Sequence, residues 1–499
     1  MINSVSNTLV RACALISLIF MVTACSSGDS AETDTYIKFY NASADAPSIF
    51  MTLDEDLDND ADDELERTYS AVAYGYAGSQ INVDTGEYVL ELAWQSEDSY
   101  ARSDLTMIYQ ETLSLPKDTT NWVILSDSMV DPRIDVYSID LLDDDTAEED
   151  SANDIVNLHF LNLHESITEV DVYLSDIDET FAEAEFVSNL SAHALSDNIK
   201  IDEDQYILYI TSAGSDEVLF ASEEMNFVYS GQYLLALRSN QGVGGSDFVV
   251  DRIANNSIVQ YNAADSAASI RLYNGLNTNE LAPEYSQVIT AHIQSDASDN
   301  LIDGLAYAQF SDAISLDNGD YRLNINNTQD DAELMANRLL SLPQNTNKTL
   351  FLYWTEEEVD DDNDGIVDEN SDGEVDEIRP IISSLLVDNS DLTGLYVKQV
   401  ALVNLINTDL FNRVSFYFVK SDEIIATANT SRTIGLGTTS NVTLLNNTYQ
   451  VFAVASIDNN DIILDELSLT VDETTSDLFL LLEHHEDSSD EFKLRVVDQ

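Results

Sequence analysis

Four times along the chain a β-patterned run ends in asparagine, and each time a tyrosine-led alternating run follows tens of residues later. The opening runs are Tyr36-Ile37-Lys38-Phe39-Tyr40-Asn41, Leu158-His159-Phe160-Leu161-Asn162, Ile258-Val259-Gln260-Tyr261-Asn262 and Val400-Ala401-Leu402-Val403-Asn404. A second alternating run follows about ten residues on, at Ile49, Val170, Ile270 and Val414. The tyrosine runs begin at Tyr88, Tyr206, Tyr321 and Tyr449, with asparagine-to-tyrosine spacings of 47, 44, 59 and 45 residues. A hydrophobic strand pair closes each unit, for example Trp122-Val123-Ile124-Leu125 with Ile134-Asp135-Val136-Tyr137. Short strands of period two, separated by turn residues and without long helical patterns, build sandwiches of antiparallel sheets. Recurrence at this interval means that each unit is one domain-sized structure with its own core.

The expected fold is therefore all-β, with four tandem antiparallel β-sandwich (immunoglobulin-like) domains. They cover 36–147, 148–255, 256–390 and 391–499, after a signal peptide at 1–24 and a tether at 25–35. The third spacing is the long one, and 289–300 reads as the insertion that lengthens it. Units joined in sequence are expected to form an elongated string. Asp143-Asp144-Asp145 and Glu148-Glu149-Asp150 read as a charged linker between the first two.

The first 25 residues set the location. Arg11 leads an apolar run, Leu15-Ile16-Ser17-Leu18-Ile19-Phe20-Met21, and Val22-Thr23-Ala24-Cys25 follows. A positive start, an apolar middle and small residues before the cleavage point form a secretory signal. The last four residues resemble the bacterial lipobox, whose cysteine is acylated and becomes the new N-terminus. The resemblance implies a lipoprotein anchored to a membrane through palmitate or a similar chain on Cys25. Ser26 follows in place of the aspartate that commonly retains such proteins in the inner membrane, which points to the outer membrane, facing the periplasm or the exterior. With Cys13 removed and Cys25 acylated, the mature chain has no internal disulfide and depends on core burial and on metals.

Formal net charge is −73, from 93 acidic and 20 basic residues. Such a charge repels nucleic acid and attracts divalent cations. Hydrophobic content of 44% and 23 tyrosines distinguish the chain from acidic disordered proteins.

The first unit resembles a family of secreted bacterial domains, domain of unknown function 4397. The residues that carry the likeness are Phe39-Tyr40-Asn41-Ala42-Ser43-Ala44-Asp45-Ala46-Pro47-Ser48-Ile49, Tyr74-Gly75 and Gly86-Glu87-Tyr88-Val89-Leu90. Ala44 stands where the family has its first proline, and Phe50 where it has aspartate. The second unit retains Val170-Asp171-Val172-Tyr173, and the later units retain less. The resemblance implies an extracellular β-sandwich and carries over no catalytic residue.

The sharpest chemical motif is Asp360-Asp361-Asp362-Asn363-Asp364-Gly365-Ile366-Val367-Asp368, which continues into Asp368-Glu369-Asn370-Ser371-Asp372-Gly373-Glu374-Val375-Asp376. Calcium takes six to eight oxygens around a tightly turned backbone. Asp360, Asp362, Asp364 and Asp368 supply alternating carboxylates, and the second copy offers the Asn370 amide oxygen with the Asp372 and Asp376 carboxylates, with carbonyls from Ile366 and Glu374. Ser371 and Arg379 occupy the places where an EF-hand has its bidentate glutamate, and the tandem pattern more closely resembles thrombospondin type-3 calcium loops. Because the motif lies between two strands of the third unit, bound calcium is expected to clip them in place of a disulfide. The loop 54–62 alternates similarly but lacks glycine, and serves either calcium or a hairpin turn.

His159, His164, His193, His292 and His484-His485 show no zinc-ligand spacing. No nucleophile elbow, phosphate loop or reactive cysteine is present. These features point to a lipid-anchored, non-catalytic cell-envelope protein, a calcium-stabilised binding, adhesion or scaffold array. Its expected partners are the membrane, an envelope protein or an extracellular glycan. The rival reading is an extracellular hydrolase with its carboxylates in a divergent unit.

Overall fold

A computed structural model describes residues 35–55, 66–96, 101–359, 377–390, 392–485 and 488–499, together with positions 99, 367 and 375. Cys25 and the segment 1–24 read as a signal peptide lie outside the described residues. Eight sheets account for the described strands. They enclose four hydrophobic cores, each between two sheets, centred on Leu90 and Val123, Phe160 and Leu208, Leu272 and Leu323, and Leu402 and Phe416.

In the first sandwich one sheet contains Thr35–Asn41, Thr119–Ser126 and Arg133–Asp140. Its companion contains Ile49–Asp54, Gly86–Trp94 and Thr106–Leu115. The same scheme recurs in all four. Neighbours joined by short turns run antiparallel, but the opening strand pairs in parallel with a strand late in its unit. The four parallel pairs are Thr35–Asn41 with Thr119–Ser126, Ile155–Leu163 with Gly231–Ser239, Ala268–Asn274 with Asn347–Glu358, and Val397–Asn404 with Leu478–His485. This pairing ties the start of each unit to its end.

The register of the third repeat differs from the sequence reading. Ile258–Tyr261 pairs antiparallel with Phe248–Ile253 and belongs to the second sandwich, whose core includes Tyr261. The third sandwich opens instead at Ala268–Asn274, so Asn274 is the true counterpart of Asn41, Asn162 and Asn404. From Asn274 to Tyr321 is 47 residues, and the apparent insertion at 289–300 consists of regular sheet: Val288–Gln294 pairs with Asp299–Ala306. The segment read as a charged linker also has structure. Asp144–Ala152 is a helix whose N-cap Asp143 accepts the Thr146 amide, and buried Asp150 accepts Lys200 Nζ at 2.7 Å.

All four repeat asparagines are fully buried. Each side-chain oxygen accepts the amide two residues on: Ser43, His164, Leu276 and Ile406. Each side-chain nitrogen donates to backbone carbonyls, such as those of Val72, Ile167, Leu305 and Gly435. Each backbone carbonyl receives an N–H from a left-handed residue, Gly75, His193, Ala308 or Gly437, at 2.7–2.9 Å. The repeat tyrosines complete the pattern. The hydroxyls of Tyr88, Tyr206, Tyr321 and Tyr449 donate to the carbonyls of Asp84, Asp202, Asp317 and Leu445, four residues back in each case. This is the tyrosine corner of immunoglobulin-like sandwiches.

The units do not form a string. The outer face of the first sandwich's parallel sheet packs on that of the second, through Tyr40, Trp122, Ile124, Leu161, Leu234 and Ala236. The third and fourth pack in the same way through Tyr273, Phe351, Val403, Phe479 and Leu481. Strands buried on both faces need apolar residues at successive positions, which explains the unbroken burial of Thr119–Ser126. Asn345 joins the third unit to the second by donating to Asn240 Oδ1 at 2.8 Å and accepting from the Gly244 amide at 2.8 Å. A Cβ on Gly242 would stand 2.4 Å from Asn345 Oδ1, so only glycine admits this contact. The fourth unit returns to the first: Tyr396 stacks on Trp94 with ring centroids 5.3 Å apart, and the Leu395 amide donates to the Asp45 carbonyl. The expected elongated array is replaced by a closed ring, because the outer face of each parallel sheet is apolar enough to find a partner within the chain, and the Asn345 and Trp94–Tyr396 contacts join the two resulting pairs.

Candidate ligand cleft

The sequence-predicted calcium ligands Asp360, Asp362, Asp364, Ile366, Asp368, Asn370, Asp372, Glu374 and Asp376 lie outside the described residues, as do 56–62 of the second acidic loop. Their flanks are described. Asn347–Glu358 and Ile378–Asp388 are adjacent antiparallel strands in register to the Glu358–Ile378 pair, and the Val359 amide donates to the Glu377 carbonyl. Val359 and Glu377, the described residues on either side of 360–376, therefore lie side by side. These two strands are paired with each other from Lys348–Asp388 to Glu358–Ile378. Among the described residues no group of three or more His, Cys, Asp or Glu is placed to hold a metal.

The histidines serve structural roles. His164 Nδ1 accepts the amides of Ser166 and Ile167, while Nε2 faces the Asp247 carbonyl at 3.2 Å. Those partners fix the neutral tautomer with its proton on Nε2, and burial lowers its pKa. Burial also lowers the pKa of His159, which faces the Ser196 carbonyl.

Each back-to-back pair carries an acid–arginine–tyrosine group whose acid and tyrosine are buried. In the first, Arg238 Nε donates to Asp251 Oδ2 at 2.6 Å and the Tyr40 hydroxyl donates to the same oxygen at 2.5 Å. In the second, Arg495 Nε donates to Glu483 Oε1 at 2.8 Å and Tyr273 donates to Glu483 Oε2. The strand registers place Arg238 at the position of Glu483 and Asp251 at the position of Arg495. The charges are exchanged between the two pairs, and the tyrosine follows the acid. Burial opposes the charge on Arg238, but Asp251, Tyr40 and Tyr74 outweigh it and hold its pKa above the ordinary value. Burial and the neighbouring acid raise Tyr40 and Tyr273, keeping both as neutral donors.

A cation also occupies matched positions. Lys38 and Arg271 each stand three residues before the repeat asparagine. Lys38 donates to the Ala254 and Asn255 carbonyls, Arg271 to the Asp498 carbonyl, so each reaches the end of the partner sandwich. Burial lowers the Lys38 pKa to about 8. The chain thus contains two copies of a two-sandwich module. Sequence reading missed this, although Ile37-Lys38-Phe39-Tyr40-Asn41 and Ile270-Arg271-Leu272-Tyr273-Asn274 carry the signal.

Where the ring closes, two adjoining hollows of about 470 and 520 Å³ open between the units and share Tyr74, Tyr76, Leu392 and Gln399 as walls. The first is faced by Arg238 and Asn240 of the second unit, Asn345 and Asn389 of the third, and Gln399 and Asn441 of the fourth. Arg238 forms its floor, donating to the Tyr74 hydroxyl at 2.6 Å and to Gln260 Oε1 at 2.7 Å. Gly75, at φ +73°, lets Arg238 approach the turn: a Cβ there would lie 3.3 Å from its Nη2. The second hollow is more apolar, walled by Ala46, Pro47, Phe50, Val397 and Leu445. None of these residues stood out as a site in the sequence, because they converge from four separate units.

No family model matches the chain, and no curated protein matches it. Among solved structures it is similar to the Bacillus anthracis TIE protein, at 7% identity over 95% of this chain and 78% of that one, with a TM-score of 0.14. It is also similar to the major pilin subunit of Bacillus cereus, at 8% identity over 66% of this chain and 99% of that one, with a TM-score of 0.13. No helix among the described residues is long and apolar enough to cross a membrane.

Proposed function

We propose that the chain is a lipid-anchored, non-catalytic binding protein of the bacterial outer membrane, with domains of the 4397 type. Cys25 carries the anchor, and calcium orders the loop 360–376. The observation that carries the binding role is the cleft at the ring closure. Residues from four sandwiches converge on a concave, amide-lined surface of the size that ligand sites have. Its described polar groups suit hydrogen bonding to a partner, and its arginine is already committed to Asp251. The pairing of the described flanks supports the calcium reading, because it holds Val359 and Glu377, the described residues that bracket 360–376, within hydrogen-bond distance of each other.

Cells expressing the chain and given radiolabelled palmitate test the anchor. Label is expected on the protein and absent from Cys25→Ser. Calcium is tested on the purified protein by unfolding with and without chelator. At 10 mM calcium and a Kd of about 10⁻⁴ M, binding adds about 2.7 kcal/mol to the stability of the third sandwich. Asp364→Asn combined with Asp368→Asn is expected to abolish that gain. Equal stability with and without chelator would remove calcium from the proposal.

A further inference from the structure

The geometry points to a neutral oligosaccharide as the occupant of the cleft, a ligand class that rests on the binding role proposed above. Charge is the first ground. In a chain of net charge −73, Arg238, Asp388 and Asp477 are the only walls of the two hollows, among the described residues, that bear Asp, Glu, Lys or Arg side chains. All three are engaged: Arg238 with Asp251, Asp388 with Lys348, and Asp477 with the Gln399 amide at 2.8 Å. The cleft is a nearly neutral surface on a strongly acidic protein.

The second ground is uncommitted hydrogen-bonding capacity. The side-chain amides of Gln241, Gln399 and Asn441 and the hydroxyl of Tyr76 face the first hollow and make no hydrogen bond to described residues. An amide offers two donors and a carbonyl acceptor, which suits the mixed donor and acceptor character of vicinal hydroxyls. Tyr76 is 61% exposed, unusual for so large an aromatic ring, and it stands where the polar hollow meets the apolar one. A pyranose has the matching division, with hydroxyls at its rim and C–H bonds on its faces. Phe50, Tyr76 and Leu392 would meet those faces, and the amides would meet the rim.

A peptide is disfavoured by the same facts. A peptide drawn to this acidic chain would be basic, and a basic ligand needs free carboxylates, whereas Asp388 and Asp477 on the described walls are already engaged. Extended peptides also bind by adding a strand to a sheet edge, whereas this surface presents side chains.

The test is calorimetric titration of the mature lipoprotein in detergent micelles with the uncharged hexasaccharides of cellulose, starch, xylan and chitin. Hexagalacturonate and hexalysine are the charged probes. Saturable binding of at least one uncharged probe is expected. Gln399→Ala combined with Asn441→Ala should weaken it about tenfold or more, with Tm held within about 2 °C. Tyr76→Ala should weaken the same probe. Failure of every uncharged probe to bind, binding that the double variant leaves unchanged, or binding of hexalysine alone would overturn the assignment. Loss of sugar binding with palmitate labelling and calcium dependence intact sinks the ligand class only. Loss of the palmitate label sinks the anchoring and leaves the cleft assignment standing.

Discussion

Asn274 shows how much one buried side chain decides. Its Nδ2 donates to the Gln287 and Leu305 carbonyls and its Oδ1 accepts the Leu276 amide, all within a fully buried site. Replacing it strands several groups without water to take its place, and each stranded group costs about 1–3 kcal/mol. Asn274→Ala should therefore destabilise the protein by about 2–4 kcal/mol in urea unfolding. Asn262 ends the run that matched the other openings by sequence, yet it lies at the surface side of the junction and accepts from Gln260 and Asn345. Asn262→Ala should cost less than about 1 kcal/mol. Reversal of that order would restore the register suggested by sequence alone. The repeat asparagine was legible in the sequence because its job forces the residue type. Its third copy was misplaced because Ile258–Tyr261 has the same alternating, aromatic-then-asparagine ending, and nothing local distinguishes an edge strand from an opening one.

At the scale of elements, hairpins and alternation were readable, as in Thr119–Ser126 with Arg133–Asp140. The parallel pairs were not, since they join strands some 80 residues apart and leave no local mark. Nor was the exchanged ion pair, because Arg238 and Glu483 read separately as ordinary charges at the end of a strand. Burial of Glu483 makes it depend on Arg495, which is itself partly buried. Arg495→Met leaves Glu483, 1% exposed, without its cation, and should destabilise by about 3–5 kcal/mol. Adding Glu483→Gln should recover most of the loss, because the amide stays neutral and can still accept from Tyr273. Guanidinium unfolding of the wild type and both variants measures this. A single variant as stable as the wild type would show that the pair is solvated and that the two sandwiches do not share a sealed interface.

For the whole molecule, composition and repetition indicated four sandwich-sized units and left their arrangement open. A string is the default when units are read one at a time, since each sequence segment can satisfy its own core. What folds the chain back is the second apolar face of the parallel sheets, visible as Tyr40, Ile124, Phe351 and Phe479 alternating with core residues. Trp94 on Tyr396 and Asn345 on Asn240 then close the ring, and the cleft exists only because it closes. The acidic loops, by contrast, were legible as chemistry but say nothing of this architecture. Small-angle scattering from the chain without its signal segment and Cys25 addresses the closure directly. The ring predicts a radius of gyration near about 23 Å, the compact value for a chain of this size. A value near about 40 Å, expected for four bodies of about 13 Å in a row, would contradict it.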